Sequence, residues 1–193
     1  MYTPSTHILK WTYALFSIMG GLATSVTCVD VDAHRSLLET LLAEYHAWME
    51  TMVGRETGAL YDPNARVDAD LRDVLDPAMT CLSWLAFQGD DPAGCVLFYG
   101  VADDKAELKR LYVRPEHRGY GLGRALTETV VDVASERGYE TLGLTTPPWS
   151  NEAHALYESF GFERTEAYPE TRLPGQYHDD VIFMQLDLTD RID

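Results

Sequence analysis

The chain has 193 residues, enough for one domain with a full hydrophobic core and no need of disulfide staples. Its apolar fraction of 46% and aromatic fraction of 11% fit a globular protein. With 15 Lys+Arg against 31 Asp+Glu the net charge is −16, which argues against a nucleic-acid backbone or an anionic membrane as partner, since both need a basic face. The only lysines are Lys10, Lys105 and Lys109. Heavy acidity with scarce Lys suits a protein adapted to high salt, where self-repulsion is screened; an ordinary acidic cytoplasmic enzyme is the alternative. Cys28, Cys81 and Cys95 sit in apolar surroundings and read as buried thiols. No CxxC or Cys/His cluster points to a metal.

Along the chain, Trp11–Val29 carries no charged residue, so a signal peptide or membrane anchor comes into question. Thr12, Ser17, Thr24, Ser25, Thr27 and the Gly20-Gly21 pair dilute it, and Leu22–Asp32 alternates like a strand. Residues 1–21 are therefore expected to be an N-terminal extension and residues 22–193 one domain in the cytoplasm, with a membrane-tethered chain as the rival. A helix is expected from a cap at Asp32 to Val53, with Gly54 as its stop. Its apolar side carries Leu37, Leu38, Leu41, Leu42, Tyr45, Trp48 and Met49. A short helix follows at Asp68–Leu75, then strands Thr80–Gln88 and Cys95–Ala102 joined by the turn GDDPAG. Beyond the central stretch come a helix Leu122–Arg137, a strand Thr141–Thr146, a helix Glu152–Phe160 capped by Ser150 or Asn151, a segment Phe162–Tyr168, a polar loop and a last strand Asp180–Leu188.

The central stretch is ELKRLYVRPEHRGYGLG, Glu107–Gly123. It reads as a strand, a basic loop, a glycine-rich turn and a helix start. Glycines at 119, 121 and 123 let the backbone turn tightly and bring its N–H groups together. A helix N-terminus beyond them is an anion site, and Arg118 and Arg124 flank it. A nucleotide P-loop needs GxxxxGK followed by Ser or Thr, and a dinucleotide fingerprint needs GxGxxG or GxGxxA; neither is present. What is present is R-x-x-G-x-G, as Arg118, Gly121 and Gly123, directly after a strand. This resembles the acetyl-CoA pyrophosphate loop of the GNAT N-acetyltransferase superfamily. Residues 141–162, TLGLTTPPWSNEAHALYESFGF, resemble its second signature through Asn151, Leu156, Tyr157, Gly161 and Phe162. The alanines, at Ala153 and Ala155, depart slightly from that pattern.

The resemblance implies an α/β fold: a mixed sheet of about seven strands with helices on both faces. It implies acetyl-CoA as co-substrate and no metal. Arg118, Gly119, Tyr120, Gly121, Leu122, Gly123 and Arg124 would hold the pyrophosphate, and Leu111, Tyr112 and Val113 would meet the pantetheine arm by their backbone. The Val113 N–H would polarise the thioester carbonyl. Asn151 would touch the pantetheine or cap its helix, and Tyr157 would protonate the leaving thiolate. Glu107 resembles the family's general base; a water chain or a simple strand-end ion pair with Lys109 or Arg110 are the other readings. On a regular strand it shares a face with Lys109, Leu111 and Val113, a register that a bulge would shift. Glu44, Trp48, Tyr177 and His178 are the candidate acceptor contacts, and His154 reads as a surface residue. The acceptor is expected to be the primary amine of a small molecule, amino acid or peptide, and the resemblance allows a homodimer. An acyl-CoA-binding module without turnover, or a transferase of a longer acyl group, compete with this reading; the joint presence of Glu107 and Tyr157 speaks against the first.

Overall fold

A computed structural model describes residues 17–19 and 22–191. The remainder of the 1–21 extension, and with it residues 11–16, 20 and 21 of the uncharged run from Trp11, lies outside the described residues. The elements in order are β1 (Ser17–Met19), β2 (Leu22–Cys28), α1 (Val31–Thr57), α2 (Pro63–Leu75), β3 (Cys81–Gln88), β4 (Asp91–Gly100), β5 (Lys105–Val113), α3 (Leu122–Glu136), β6 (Thr141–Thr146), α4 (Asn151–Phe160), β7 (Glu163–Thr165) and β8 (Ile182–Asp187). They form one sheet of eight strands, ordered β1-β2-β3-β4-β5-β6-β8-β7. Among the described strands only β5 and β6 run parallel, with α3 as their crossover. Among the described residues, no helix is long and apolar enough to cross a membrane.

Alternation along the strands sends side chains to two helical layers. Val96 and Phe98 of β4 and Ala106 and Leu108 of β5 pack against α3 and α4. Cys95, Leu97 and Tyr99 pack against α1 and α2, where Leu38, Leu41 and Leu42 are buried. Each such leucine contributes about 1.5–3 kcal/mol by leaving water.

Several boundaries differ from expectation for identifiable reasons. Asp30, not Asp32, caps α1: its Oδ1 accepts from Asp32 N–H at 2.9 Å and Ala33 N–H at 3.3 Å. Gly54 lies within α1, which runs on to Gly58, the residue that takes the left-handed conformation at φ 70°. The second helix begins earlier than expected because Asp62 caps it, accepting from Ala65 N–H, with Pro63 in its first turn. The GDDPAG turn shrinks to Gly89-Asp90, because β4 begins at Asp91; a register shift at Ala86/Phe87 accommodates the longer strand. His154 is buried rather than on the surface, and its Nε2–H donates to the Pro147 carbonyl at 3.0 Å.

The feature that shapes the site is a bulge in β5. Residues 110 and 111 together face Val96, between the pairs Leu97–Lys109 and Cys95–Tyr112. Arg110 takes φ 57°, the only non-glycine residue at positive φ among those described. The bulge corrects the regular-strand register: Glu107, Lys109, Arg110 and Tyr112 face α1 and α2, whereas Leu111 and Val113 are turned to the α3 side. Pairing of β5 with β6 stops at Leu108–Leu144, so the two strands fork beyond that point.

Candidate active site

Two features meet at the fork. On the α3 side lies the glycine loop. Gly119 and Gly121 both adopt φ 81°, a conformation that side chains resist, and α3 starts at Leu122 with no side chain capping its first N–H groups. Uncapped N–H groups at the positive end of a helix suit a pyrophosphate. Arg118 lies beside them, its Nε–H donating to the Val113 carbonyl at 3.1 Å. The Arg114 N–H bonds to Ala93 on β4, so alternation turns the Val113 N–H to the opposite edge, into the fork. Of the expected loop residues, Arg124 points elsewhere: it donates to Ser159 Oγ and stacks over Phe160, tying α3 to α4. Tyr120 is exposed, and Asn151 is the first residue of α4, after the cap residue Ser150.

Tyr157 projects from α4 into the core beside Phe162. Its hydroxyl makes no hydrogen bond among the described residues. Burial, and then the Tyr45 phenol from the other helical layer, push its pKa up, so it stays protonated.

On the α1/α2 side is a cavity of about 760 Å³. Its floor is Lys109, Arg110 and the end of β6; its walls are the second half of α1, the 59–62 loop, α2 and the 172–181 loop. Of the four candidate acceptor contacts, Tyr177 lines it. Glu44 instead accepts two hydrogen bonds from Arg114, at 2.8 and 2.7 Å, and His178 is turned to the Leu173 carbonyl. Trp48 packs beside Tyr45 and does not reach the cavity wall.

Glu107 is fully buried and shared among four donors. Tyr168 and Thr171 hydroxyls donate to Oε1 at 2.7 Å each, Arg172 N–H donates to Oε2 at 3.1 Å, and Lys109 Nζ lies 3.1 Å from Oε2. Gly143 pairs with Glu107 across the β5–β6 ladder, and a Cβ there would stand 2.4 Å from the Tyr168 hydroxyl. The missing side chain is what lets Tyr168 reach the carboxylate. Burial opposes the charge of Glu107, but Lys109 and the donors outweigh it and hold the carboxyl below its usual range. The carboxylate thereby ties the 168–172 loop over the cavity.

Behind the cavity wall lies a cluster centred on His46, which sequence reasoning did not single out. His46 of α1 is fully buried. Its Nε2 lies 2.8 Å from Asp70 Oδ2, and the Tyr61 hydroxyl donates to its Nδ1. Arg110 grips Asp70 with two bonds, at 2.7 and 3.1 Å. The available signal was His46 itself, which follows Leu38 and Leu42 at four-residue steps inside an apolar stripe. Burial, reinforced by Arg110, lowers the His46 pKa against the pull of Asp70. Asp70 is lowered too, because Arg110 and His46 overcome its burial.

These shifts fix a pH dependence of stability. All three groups bind protons less readily folded than unfolded, so their contribution is present at neutral pH and is lost as pH falls. The thermal midpoint should decline below about pH 6.5, where an unfolded histidine takes up a proton that His46 refuses, and again below about pH 4, from Asp70 and Glu107. A scan of the midpoint from pH 8 to 3.5 checks this, and His46→Gln should flatten the upper decline.

A family model described as Acetyltransferase (GNAT) family matches residues 38–162. The chain belongs to this family. An uncharacterised N-acetyltransferase of Schizosaccharomyces pombe is 33% identical over 129 residues, 67% of this chain and 68% of that protein. Several other N-acetyltransferase relatives are matched over only 38–59% of their own length. The fold is that of an acetyltransferase from Streptococcus agalactiae (TM-score 0.67, 19% identity, 86% of this chain and 98% of that one). It is also that of the PaiA N-acetyltransferase from Thermoplasma acidophilum, solved with coenzyme A (TM-score 0.62, 16% identity, 86% and 99%).

Proposed function

We propose that the chain transfers acetyl from acetyl-CoA to the primary amine of a small molecule, amino acid or peptide, by direct attack in the β5–β6 fork. The observation that carries this is the fork itself: an uncapped glycine-loop helix start on one side, a cavity on the other, and the Val113 N–H turned into it. Gly119–Gly123 and Arg118 hold the pyrophosphate, and the backbone of Leu111–Val113 meets the pantetheine arm. The Val113 N–H stabilises the developing oxyanion, and Tyr157 gives its proton to the departing sulfur. Glu107 positions the loop over the acceptor; with its lone pairs already engaged it has little capacity left to take a proton directly. The cavity wall carries Asp62, Asp73 and Asp180 beside Arg66 and Arg172, a mixture that accommodates an amine bearing its own carboxylate. The acidic composition supports a cytoplasmic chain suited to high salt. Amine-dependent release of free thiol from acetyl-CoA tests the reading; tight binding of acetyl-CoA with no turnover would favour a regulatory module.

A further inference from the structure

We propose that Tyr61 removes the proton from the attacking amine and passes its own to His46, with Asp70 holding the imidazole. This rests on the acetyl-transfer reading above and supplies the base that the hydrogen-bonded Glu107 does not.

Asp70 accepts from His46 Nε2–H, which fixes the neutral tautomer and leaves Nδ1 as an acceptor. The Tyr61 hydroxyl fills that acceptor, so its hydrogen points at His46 and its lone pairs are left for another donor. Tyr61 lines the cavity, as do Asp70 and Arg110. The cavity floor is formed where β5 and β6 separate, so an amine held there lies between Tyr61 and the fork. The left-handed backbone at Arg110 keeps that guanidinium on the cavity side of the bulge, clamped on Asp70. His46 faces Tyr45 on its own helix, Arg66 and Asp70 of α2, Arg110 of β5, and Tyr61 of the connecting loop; the buried ring is kept neutral and able to accept.

The step balances. The nitrogen lone pair forms the C–N bond as the C–S bond breaks. One proton goes from nitrogen to the Tyr61 oxygen while the Tyr61 proton moves to His46 Nδ1. One proton goes from Tyr157 to sulfur. Between turnovers the proton on His46 returns to the Tyr61 oxygen as Tyr61 gives one to water in the cavity, and water restores Tyr157. Tyr61 is the catalytic residue here, and His46 and Asp70 position it.

The test measures kcat from pH 5 to 9 for the parent chain, Tyr61→Phe, His46→Gln and the double variant. The acceptor is whichever of spermidine, L-aspartate, L-lysine and glycylglycine turns over fastest. Each single variant should lose about a hundredfold in kcat, the double no more than about threefold beyond that, and the acid limb of the parent profile, set below the ordinary histidine range by the burial of His46, should disappear. Acetyl-CoA binding should be unchanged. Tyr61→Phe keeps its ring and guards against misfolding of the His46 variant. Retained kcat and acid limb in a folded Tyr61→Phe protein overturns the relay and leaves acetyl transfer standing. A rate loss that follows the thermal midpoint with the pH profile intact also overturns it, in favour of a purely structural clamp between α1 and α2. No turnover in the parent chain overturns both.

Discussion

Replacing Tyr157 with phenylalanine should lower kcat by about a hundredfold while acetyl-CoA affinity stays within about a factor of two. The ring stays buried beside Phe162, so packing is conserved and only the hydroxyl is lost. That hydroxyl has no partner among the described residues, so its removal orphans nothing. Its raised pKa decides what it can do: it is a donor at every accessible pH and never a base near neutrality. A thiolate expelled beside the buried phenol is also destabilised by desolvation, which raises its own proton affinity and narrows the gap the proton has to cross. The pH profile of Tyr157→Phe should therefore keep its shape and drop in height. A profile that gains or loses a limb, or a kcat within threefold of the parent, would remove Tyr157 from the chemistry.

Replacing Glu107 with alanine should cost about 3–5 kcal/mol of stability, the largest loss expected of any single site discussed. Lys109 would be left buried with its countercharge gone, and the Tyr168 hydroxyl, Thr171 hydroxyl and Arg172 N–H would lose their acceptor. The released loop carries Arg172, which pairs with Asp73 of α2 at 2.6 Å and covers the Tyr99 ring. Loosening it opens the acceptor cavity, so the KM for the amine should rise more than kcat falls. Denaturant midpoints at pH 7 measure the first effect and steady-state kinetics the second. A protein of parental stability whose kcat alone collapses would make Glu107 the base and not the anchor.

The donor side was legible in the sequence because its chemistry is local. Arg118, Gly121 and Gly123 lie within six residues, and a backbone cradle needs little more than glycines and a helix start. The β5–α3–β6 unit was legible for the same reason. The acceptor side was not. The bulge at Arg110 has no glycine or proline to announce it, and it moves Leu111 and Val113 to the opposite face from Glu107. His46, Asp70 and Arg110 come from three elements, and nothing in their spacing brings them together. The polar loop after Tyr168 declares its purpose only through Glu107, more than sixty residues earlier in the chain. Gly54 misled because a helix tolerates an exposed glycine at a cost of about 1 kcal/mol, which the rest of α1 absorbs. Asp62-Pro63 was a readable helix start, a capping residue followed by proline.

The most direct test of the whole account is release of free thiol from acetyl-CoA by the purified chain, with and without an amine, alongside the thermal midpoint in the presence of acetyl-CoA at several salt concentrations. A ligand bound only by the native state at a hundred times its Kd stabilises by about 2.7 kcal/mol, a shift easily seen. The account predicts that shift, and thiol release that depends on both the amine and Tyr157. A folded chain whose midpoint does not move with acetyl-CoA at any salt would contradict it, because the Arg118–Gly123 loop would then hold no pyrophosphate.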